Sequence, residues 1–331
     1  GAELREDPTC LEHIRGFFAR RGRTMPETNR VQALVPVGAR PIHNPCGTAP
    51  GIRAELGGSV IYVVPGVPLE MQEMFTESIR PELLAKAGGR SVASRKILCF
   101  GAGESDVANQ IADLMKRGRN PLVGTTPHEM IIEIRVVATG SSPQEAKDLL
   151  EGDVAEIRRR LGDLVFGEDE DTLADAVGRM LIDARLTVAT AESCTGGWLA
   201  KSLTDLSGSS NYFLRGYVTY SNQATPDLLG VPATMIQQFG AVSEEVARAM
   251  ATGCKARAGT DFAIGITGIA GPTGGTPTKP VGLVYIALAS PDGIEAHKMT
   301  FGEHLLRWQV RDRATKVARN MLRLAMIPRS G

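Results

Sequence analysis

The residues best suited to chemistry lie in one short segment, 192–197, which reads Glu-Ser-Cys-Thr-Gly-Gly. A strand over 186–191 is predicted to lead into it and a helix over 198–203 to leave it. Glycines let backbone approach a ligand, and the first turn of a helix offers free N–H groups and a positive macrodipole end. The segment therefore indicates either an anion site with a nucleophilic serine or a plain turn in which Ser193 or Thr195 caps the helix.

Two later segments carry similar clusters of small and polar residues, each after a predicted strand. One reads Tyr-Ser-Asn-Gln-Ala-Thr at 220–225, and the other reads Thr-Gly-Ile-Ala-Gly-Pro-Thr-Gly-Gly at 267–275. The glycine-rich segment alone is also typical of a surface turn. Open α/β sheets bind ligands at the carboxyl ends of their strands, so the three segments together predict one shared site.

The composition excludes several classes of protein. A chain of 331 residues, 43% hydrophobic and 22% charged, is typical of a globular protein with two or three domains. No apolar run is long enough for a membrane span, so no membrane partner is expected. Lys+Arg 37 against Asp+Glu 37 removes the positive footprint of a nucleic-acid binder.

Five scattered cysteines without a C-x-x-C pair indicate reduced thiols and a cytoplasmic location. The five histidines never fall at zinc-site spacings, so we expect no metal. The chain opens on Gly-Ala-Glu, which suggests a trimmed start with a segment missing upstream.

Residues 1–89 indicate the later part of an α/β domain. A helical run over 11–19 and a second one opened by Pro26 precede an unbroken β-branched strand over 59–64, which we expect to be covered on both faces. A turn at 65–68 leads into a helix near Glu70. A parallel α/β domain needs several such units, so the first strands are expected to be absent.

Residues 90–168 change to a split α+β pattern with two helices and four strands. Gly101-Ala102-Gly103 joins the first strand and helix, and a plain loop is favoured there over a phosphate loop because no lysine follows. The predicted strands cover 96–100, 122–125, 130–139 and 164–166, and the helices cover 105–115 and 143–161.

Residues 169–331 alternate in the α/β manner after an acidic stretch at 167–171. Thr172 and Asp175 form a capping box, and Ser243 caps a later helix. The further predicted strands cover 217–220, 262–267, 281–289 and 294–301, the last two forming a hairpin, and a long helix covers 303–326.

The motifs of this last part resemble the CinA family. The strings are AESCTGGWLA, GYVTYSNQA, LLGV, GAVSEEVARAMA, GITGIAGPTGG and KPVGLVYIALA, and they are similar to the carboxyl-terminal domain of that family. Its active members are nicotinamide mononucleotide (NMN) deamidases. The strings NPxGTAPG at 44–51 and PGVPxEM at 65–71 resemble the later half of the molybdopterin-binding-like domain that opens full CinA proteins.

The resemblance implies an α/β chain of three domains: a truncated molybdopterin-binding-like domain (1–89), a KH-like α+β connector (90–168) and a CinA-type domain (169–331). Some full-length members have ADP-ribose pyrophosphatase activity. The earlier glycine- and aspartate-rich segment of the family is absent here, so that activity is expected to be impaired in the first domain.

The resemblance also assigns roles to residues. Ser193 is the expected nucleophile on the NMN carboxamide, Tyr220 an active-site hydroxyl, and Thr267 a neighbour of the developing oxyanion. Arg307 is a substrate-binding cation. No cofactor is implied. The remaining residues expected to line the substrate are Thr195, Gly196, Gly197, Asn222 and Gly268.

One position departs from the family pattern. Active members carry a lysine where this chain has Thr225, and that lysine acts as the base in a Ser–Lys pair. Losing a positioned base is expected to raise the barrier by about 3–5 kcal/mol unless Lys201 or Lys279 substitutes. Cys194 is a competing nucleophile, because a helix N-terminus lowers the pKa of a thiol.

Besides ADP-ribose pyrophosphatase activity, two hypotheses about the function therefore remain. The chain is either a slow NMN amidohydrolase or a non-catalytic nucleotide-binding or regulatory protein that has lost its base. NMN is the expected small-molecule partner. Uncovered sheet edges also favour a homo-oligomer such as a dimer.

Overall fold

The protein, seen in a computed structural model that describes residues 2–86 and 88–327, forms two compact units. The first runs to Ser91 and the second begins at Val92.

The first unit contains two small antiparallel sheets, one of order β1-β2 and one of order β3-β4-β5. Residues 27–33, expected to be helical after Pro26, form a 3₁₀ turn. The strands are β1 (Leu4–Glu6), β2 (Leu34–Pro36), β3 (Arg40–Ile42), β4 (Gly51–Leu56) and β5 (Ser59–Val63), and the helices are α1 (Pro8–Ala19), α2 (Pro68–Met74) and α3 (Arg80–Lys86).

The expectation that the strand after residue 58 is covered on both faces is wrong. β5 forms a hairpin with β4, and its residues alternate between exposed and half-buried. Only Tyr62 of this strand packs against the small cluster of Ile42, Met74 and Ile79. A β-branched run therefore does not by itself separate a doubly covered strand from an edge hairpin.

The two first-unit motifs meet at Asn44, whose side chain is buried. Its Nδ2 donates to Glu70 Oε2 at 2.8 Å, and its Oδ1 accepts from the backbone N–H of Gly47 at 2.9 Å. A Cβ on Gly47 would lie 2.4 Å from the Glu70 carboxyl carbon, so a larger residue there would displace the Glu70 carboxylate from Asn44.

The second unit begins with a four-stranded sheet of order β7-β8-β6-β9, called here the connector sheet. Helix α5 begins at Pro143 after the Ser142 cap and packs on β8 with buried Leu150, Val154 and Ile157. The split α+β pattern is confirmed. Its elements are β6 (Ser91–Phe100), α4 (Glu104–Gln110), β7 (Leu122–His128), β8 (Ile131–Gly140), α5 (Pro143–Leu161) and β9 (Val165–Glu168).

A five-stranded sheet of order β11-β10-β12-β13-β14, called here the carboxyl-terminal sheet, completes the unit. Strands β10, β11 and β12 are parallel, whereas β13 and β14 form an antiparallel hairpin. The α/β class is confirmed. The elements are α6 (Leu173–Ala184), β10 (Val188–Glu192), α7 (Trp198–Thr204), β11 (Phe213–Val218), α8 (Ala224–Leu229), α9 (Ala233–Phe239), α10 (Glu244–Ala258), β12 (Phe262–Gly268), β13 (Leu283–Ser290), β14 (Gly293–Thr300) and α11 (Arg307–Ala325).

One core joins the two sheets of the second unit. Phe100 and Phe166 of the connector sheet pack in the same buried cluster as Val177 of α6 and Met321 of α11. The capping box of Thr172 with Asp175 and the Ser243 cap are both present as predicted. Within the described ranges, no helix is both long and apolar enough to cross a bilayer.

Candidate active site

The three polar segments meet at one edge of the carboxyl-terminal sheet. Strands β10, β11 and β12 run parallel in register, with Glu192 opposite both Val218 and Ile266. Their carboxyl ends therefore open onto the same edge, as the sequence predicted. Ser193 follows β10, Tyr220 follows β11, and the glycine-rich segment follows β12.

Ser193 is held by its backbone and not by its side chain. Its N–H donates to the Ile266 carbonyl at 3.0 Å, which continues the β10–β12 ladder by one residue. Its side chain is half-buried, and its hydroxyl has no hydrogen bond within the part of the chain that the structure describes. The hydroxyl is therefore available to a ligand.

Glu192 changes what was expected of the N-terminus of α7, both as an anion site and as a helix capped by Ser193 or Thr195. This fully buried carboxylate accepts from the backbone N–H of Leu199 at 3.0 Å and of Ala200 at 2.8 Å. It thus occupies the N-terminus of the seven-residue helix α7. The anion site predicted there is filled by the protein's own carboxylate, and neither Ser193 nor Thr195 caps the helix.

Arg311 of helix α11 contacts the serine segment. Arg311 Nη2 donates to the Thr195 carbonyl at 2.7 Å, and its guanidinium lies 5.1 Å from the Trp198 ring centroid. Gly196 and Gly197 take φ values of 58° and 89°, a left-handed turn that favours glycine. These residues shape the segment, and their predicted contact with substrate stays a prediction.

Arg307 joins the other two segments. Its Nη2 donates to the Tyr220 hydroxyl at 2.6 Å, and its Nη1 donates to the Gly271 carbonyl at 2.8 Å. The Tyr220 side chain is 61% exposed. The ring also lies near Gly196, because a Cβ there would stand 3.9 Å from Tyr220 Cε2. Tyr220, Arg307 and the serine segment are therefore neighbours.

Thr267 is buried and faces the turn before α10, where its Oγ1 donates to the Ala241 carbonyl at 2.8 Å. Its hydroxyl proton is thus already used. Gly268 is explained by packing, since a Cβ would lie 2.7 Å from Val284 Cγ2 and 2.8 Å from the Leu283 carbonyl oxygen. Backbone N–H groups are better placed than the Thr267 hydroxyl to donate to an oxyanion.

Thr225 lies buried in the first turn of α8, and Asn222 is exposed just before that helix. The ammonium groups of the two proposed substitute bases both have other partners. Lys201 pairs with Asp205 at 2.5 Å, and Lys279 Nζ donates to the Phe239 carbonyl at 2.7 Å.

Cys194 is the less suitable nucleophile. The side chain is buried, and burial raises the pKa of its thiol to about 12. A thiol with such a pKa stays protonated at neutral pH, so it lacks the thiolate that attacks carbonyl carbons. This environment favours Ser193 over its neighbour.

Sequence reasoning missed two residues of the site, Arg311 and Thr219, whereas Thr195 was expected to line the substrate. Arg311 follows Arg307 by four residues, so the helical period could have placed both on one face. Thr195 Oγ1 and Thr219 Oγ1 are buried without a hydrogen-bond partner among the described residues. Such hydroxyls are uncommon and call for a water or ligand. Nothing in the sequence singles out Thr219.

Comparisons with known proteins agree with these features. A family model described as the CinA C-terminal domain matches residues 170–326, and one described as the damage-inducible protein CinA KH domain matches residues 94–167.

Similar proteins cover most of the chain. A putative competence-damage inducible protein of Symbiobacterium thermophilum is 45% identical over 292 residues, which is 87% of this chain and 68% of that protein. One from Caldicellulosiruptor bescii is 40% identical over 99% of this chain and 79% of its own length. The solved competence/damage inducible protein CihA from Agrobacterium tumefaciens is 42% identical, with a TM-score of 0.46, over 47% of this chain and 94% of that chain.

Proposed function

The chain belongs to the CinA family, and from that premise we propose that it hydrolyses the carboxamide of NMN to nicotinate mononucleotide and ammonia. The observation that carries the proposal is the half-buried Ser193, whose hydroxyl is unbonded among the described residues at an edge where three strand ends meet. A serine nucleophile needs such an accessible oxygen.

In this reaction Ser193 Oγ attacks the carboxamide carbon, and its proton passes to a water molecule, since Thr225 stands where the family's lysine base is expected. The tetrahedral intermediate collapses, the amine leaves as ammonia after gaining a proton, and an acyl-enzyme ester remains. Water then attacks the ester carbon and releases the carboxylate product together with the serine hydroxyl. Atoms balance as NMN plus water giving nicotinate mononucleotide plus ammonia.

The backbone supports the oxyanion step. The N–H groups of Cys194 and Thr195 follow the nucleophile directly, and neither has an acceptor within residues 2–86 and 88–327. Donors of this kind each contribute about 2.7–4 kcal/mol to the transition state of acyl transfer. Thr267 then orients the neighbouring turn through Ala241, which is a positioning role.

The charges support an anionic substrate. Arg307 and Arg311 form no salt bridge in the part of the chain that the structure describes, and both lie against the three segments through neutral acceptors. Two guanidinium groups without carboxylate partners attract phosphate. The phosphate of NMN is the matching group.

A specific observation favours the second candidate, a CinA-like protein that binds a nucleotide without turnover. Thr225 stands where the family lysine is expected, and the ammonium groups of Lys201 and Lys279 are engaged elsewhere. Without a base near Ser193, attack is slow although binding groups remain.

The test is ammonia release from NMN by the full chain. We expect a low rate that Ser193→Ala abolishes and that Thr225→Lys raises by about 10²–10⁴-fold, the usual contribution of a positioned base. Thr225→Met is the matched control, since it adds length without an amine and should not raise the rate. A wild-type rate unchanged by Ser193→Ala excludes the serine mechanism. NMN binding by calorimetry without turnover, even in Thr225→Lys, supports the binding protein instead.

We also propose that the chain works in a reducing compartment such as the cytoplasm. The five cysteines form no disulfide, and four of them are buried. Burial raises the pKa of Cys99 and Cys254 to about 12, so these thiols are unreactive.

A further inference from the structure

A cavity of about 1180 Å³ lies between the connector sheet and α11, and none of the predicted catalytic residues lines it. We call it the connector cavity. Its volume slightly exceeds the range of typical small-molecule sites, about 300–1000 Å³. Its walls come from the loop after β6, the turn between β7 and β8, one face of the edge strand β14, and the second half of α11.

The walls favour a flat apolar body. Four apolar side chains from four different elements line the cavity. They are Phe100 at the end of β6, Met130 in the turn between β7 and β8, Met299 on β14 and Met321 on α11. Methionine side chains adapt their shape to a ligand, and their sulfur atoms make favourable contacts with aromatic rings. Three methionines and a phenylalanine around one space are suited to packing against an aromatic ring.

Asn320 provides a directional donor. The residue is 8% exposed, and its Oδ1 accepts from Arg323 Nε at 3.0 Å and Nη2 at 2.8 Å. These two bonds fix the amide so that Nδ2 is the remaining polar atom. No acceptor for Nδ2 exists among the described residues. Since the two bonds from Arg323 hold the amide in place, Nδ2 can donate to an acceptor on a molecule in the cavity.

Gly101 keeps the space near this donor open. Its φ is +101°, and a Cβ built there would stand 3.6 Å from Asn320 Nδ2. A side chain at this position would fill the space into which Nδ2 can donate. The Gly101-Ala102-Gly103 loop is thus a wall of the cavity.

The charges at the cavity disfavour phosphate. Asp106, Asp163 and Glu295 line it beside His297, whereas the buried Arg323 is covered by the carbonyls of Asp163 and Val165 and by Asn320. Three carboxylates repel an anion more than one covered guanidinium attracts it. The occupant that fits is uncharged.

We propose that the connector cavity binds a neutral planar nitrogen heterocycle of the nucleobase or nucleoside type. A ring nitrogen or carbonyl oxygen accepts from Asn320 Nδ2, and the ring packs against Phe100 and the methionines. This site is separate from the Ser193 site and does not depend on the proposed hydrolysis.

The experiment uses the full chain labelled with ¹³C at the methionine methyl groups. Adenosine, uridine and nicotinamide are titrated to millimolar concentration, and Met→Leu variants assign the signals. We expect ring-current shifts at Met130, Met299 and Met321 with at least one of the three compounds. No shift at these methyl groups with any of them overturns the proposal.

Variants and a charged probe test the Asn320 donor, the preference for a neutral ligand and the independence from the Ser193 site. Asn320→Asp keeps the acceptor for Arg323 but removes the donor, so it should weaken binding at least tenfold, whereas Asn211→Asp makes the same exchange at an exposed site and should not. AMP should bind at least tenfold more weakly than adenosine. Ser193→Ala should leave the shifts unchanged. Equal binding by Asn320→Asp with unchanged thermal unfolding, equal binding of AMP, or loss of the shifts in Ser193→Ala each contradicts the proposal.

Discussion

Glu192 determines the local shape of the serine segment although it is not expected to touch substrate. Its carboxylate spans from the end of β10 to two N–H groups of α7, so strand and helix are joined by one side chain. A buried charge is tolerated there because two donors and the helix dipole compensate for lost water. Ser193 is thereby fixed as the first residue beyond a rigid joint.

Replacing this carboxylate tests its role. Glu192→Gln should lower the free energy of unfolding by about 1–3 kcal/mol, because the new amide can accept from only one N–H and turns a donor toward the other. Urea unfolding measures the change. Glu303→Gln, at an exposed position, is the control. Equal midpoints for the Glu192 variant and the wild type would show that the joint carries no stability.

Alkylation tests the environment of Cys194. Its raised pKa predicts that iodoacetamide at pH 8 labels the half-buried Cys46 well before Cys194. Mass spectrometry of tryptic peptides measures both rates. Rapid labelling of Cys194 in the folded protein would contradict the buried, protonated thiol.

At the residue scale, the sequence predicted where the expected site residues lie on the strands better than it predicted their side-chain contacts. Ser193, Tyr220 and Thr267 were expected at the ends of strands, and the structure confirms this because strand periodicity is a local property. The hydrogen bond from Arg311 to Thr195 joins residues 116 positions apart, so no local sequence pattern predicts it. The bonds from Leu199 and Ala200 to the Glu192 carboxylate were also not predicted, since the reach of a glutamate side chain is not a pattern in the sequence.

Helix α11 borders both the predicted catalytic site and the connector cavity. Arg307 and Arg311, four residues apart, lie on one face near the three polar segments, while Asn320 and Arg323 line the connector cavity some four turns later. About 1.5 Å of rise per residue separates the two groups by roughly 20 Å. One rigid element thus borders two distinct sites.

Helix α5 provides a pH test. The pKa of Glu156 is lowered to about 2 by hydrogen bonds from Arg159 and Arg160, and that of Asp113 is lowered to about 2 by Arg160. Depressed carboxyl pKa values stabilise the folded state above the ordinary pKa near 4, and this contribution is lost as the pH falls toward 2.

Arg160→Gln should therefore lower the urea midpoint above about pH 5, and its difference from wild type should shrink as the pH falls from 5 to 2. Arg117→Gln is the control, since Arg117 is exposed and has no ion pair with any described residue. A pH-independent difference for Arg160→Gln would refute the linkage.

Long elements were easier to predict than short ones. Helix α5 was predicted from Pro143 to Leu161, and the structure has the same bounds. A serine cap, a proline in the first turn and an apolar stripe all indicate the same helix there. Helices α8 and α9, of six and seven residues, were not predicted. Such short helices are stabilised by tertiary packing and caps, and they contain too few residues to show a 3.6-residue hydrophobic period.

On the scale of the second unit, Lys316 links helix α11 to the connector sheet. Its ammonium contacts Asp312 at 2.7 Å and, across to the turn between β7 and β8, the Glu129 carbonyl at 3.1 Å and carboxylate at 3.4 Å. Glu129 and Met130 both have positive φ, which is uncommon for such residues. The turn is thus held against α11 by a half-buried cation.

Lys316→Met tests this link. It keeps an apolar stem but leaves two carboxylates unpaired, so the free energy of unfolding should fall by about 1–3 kcal/mol. Urea unfolding gives the value. The double variant Lys316→Met with Asp312→Asn should recover part of the loss, because it removes one unpaired charge. A single variant as stable as wild type would contradict the role of the link.

The contacts of α11 also bear on the order of folding. Its bonds to Thr195, Asp163 and Glu129 close chain separations of 116, 160 and 187 residues, whereas the β13–β14 hairpin is local. Distant contacts carry a larger loop-closure entropy, so we expect the contacts of α11 with these three residues to form late in folding. Amides of the serine segment should then exchange with solvent together with those of α11, through a shared partial opening that exposes both sites at once.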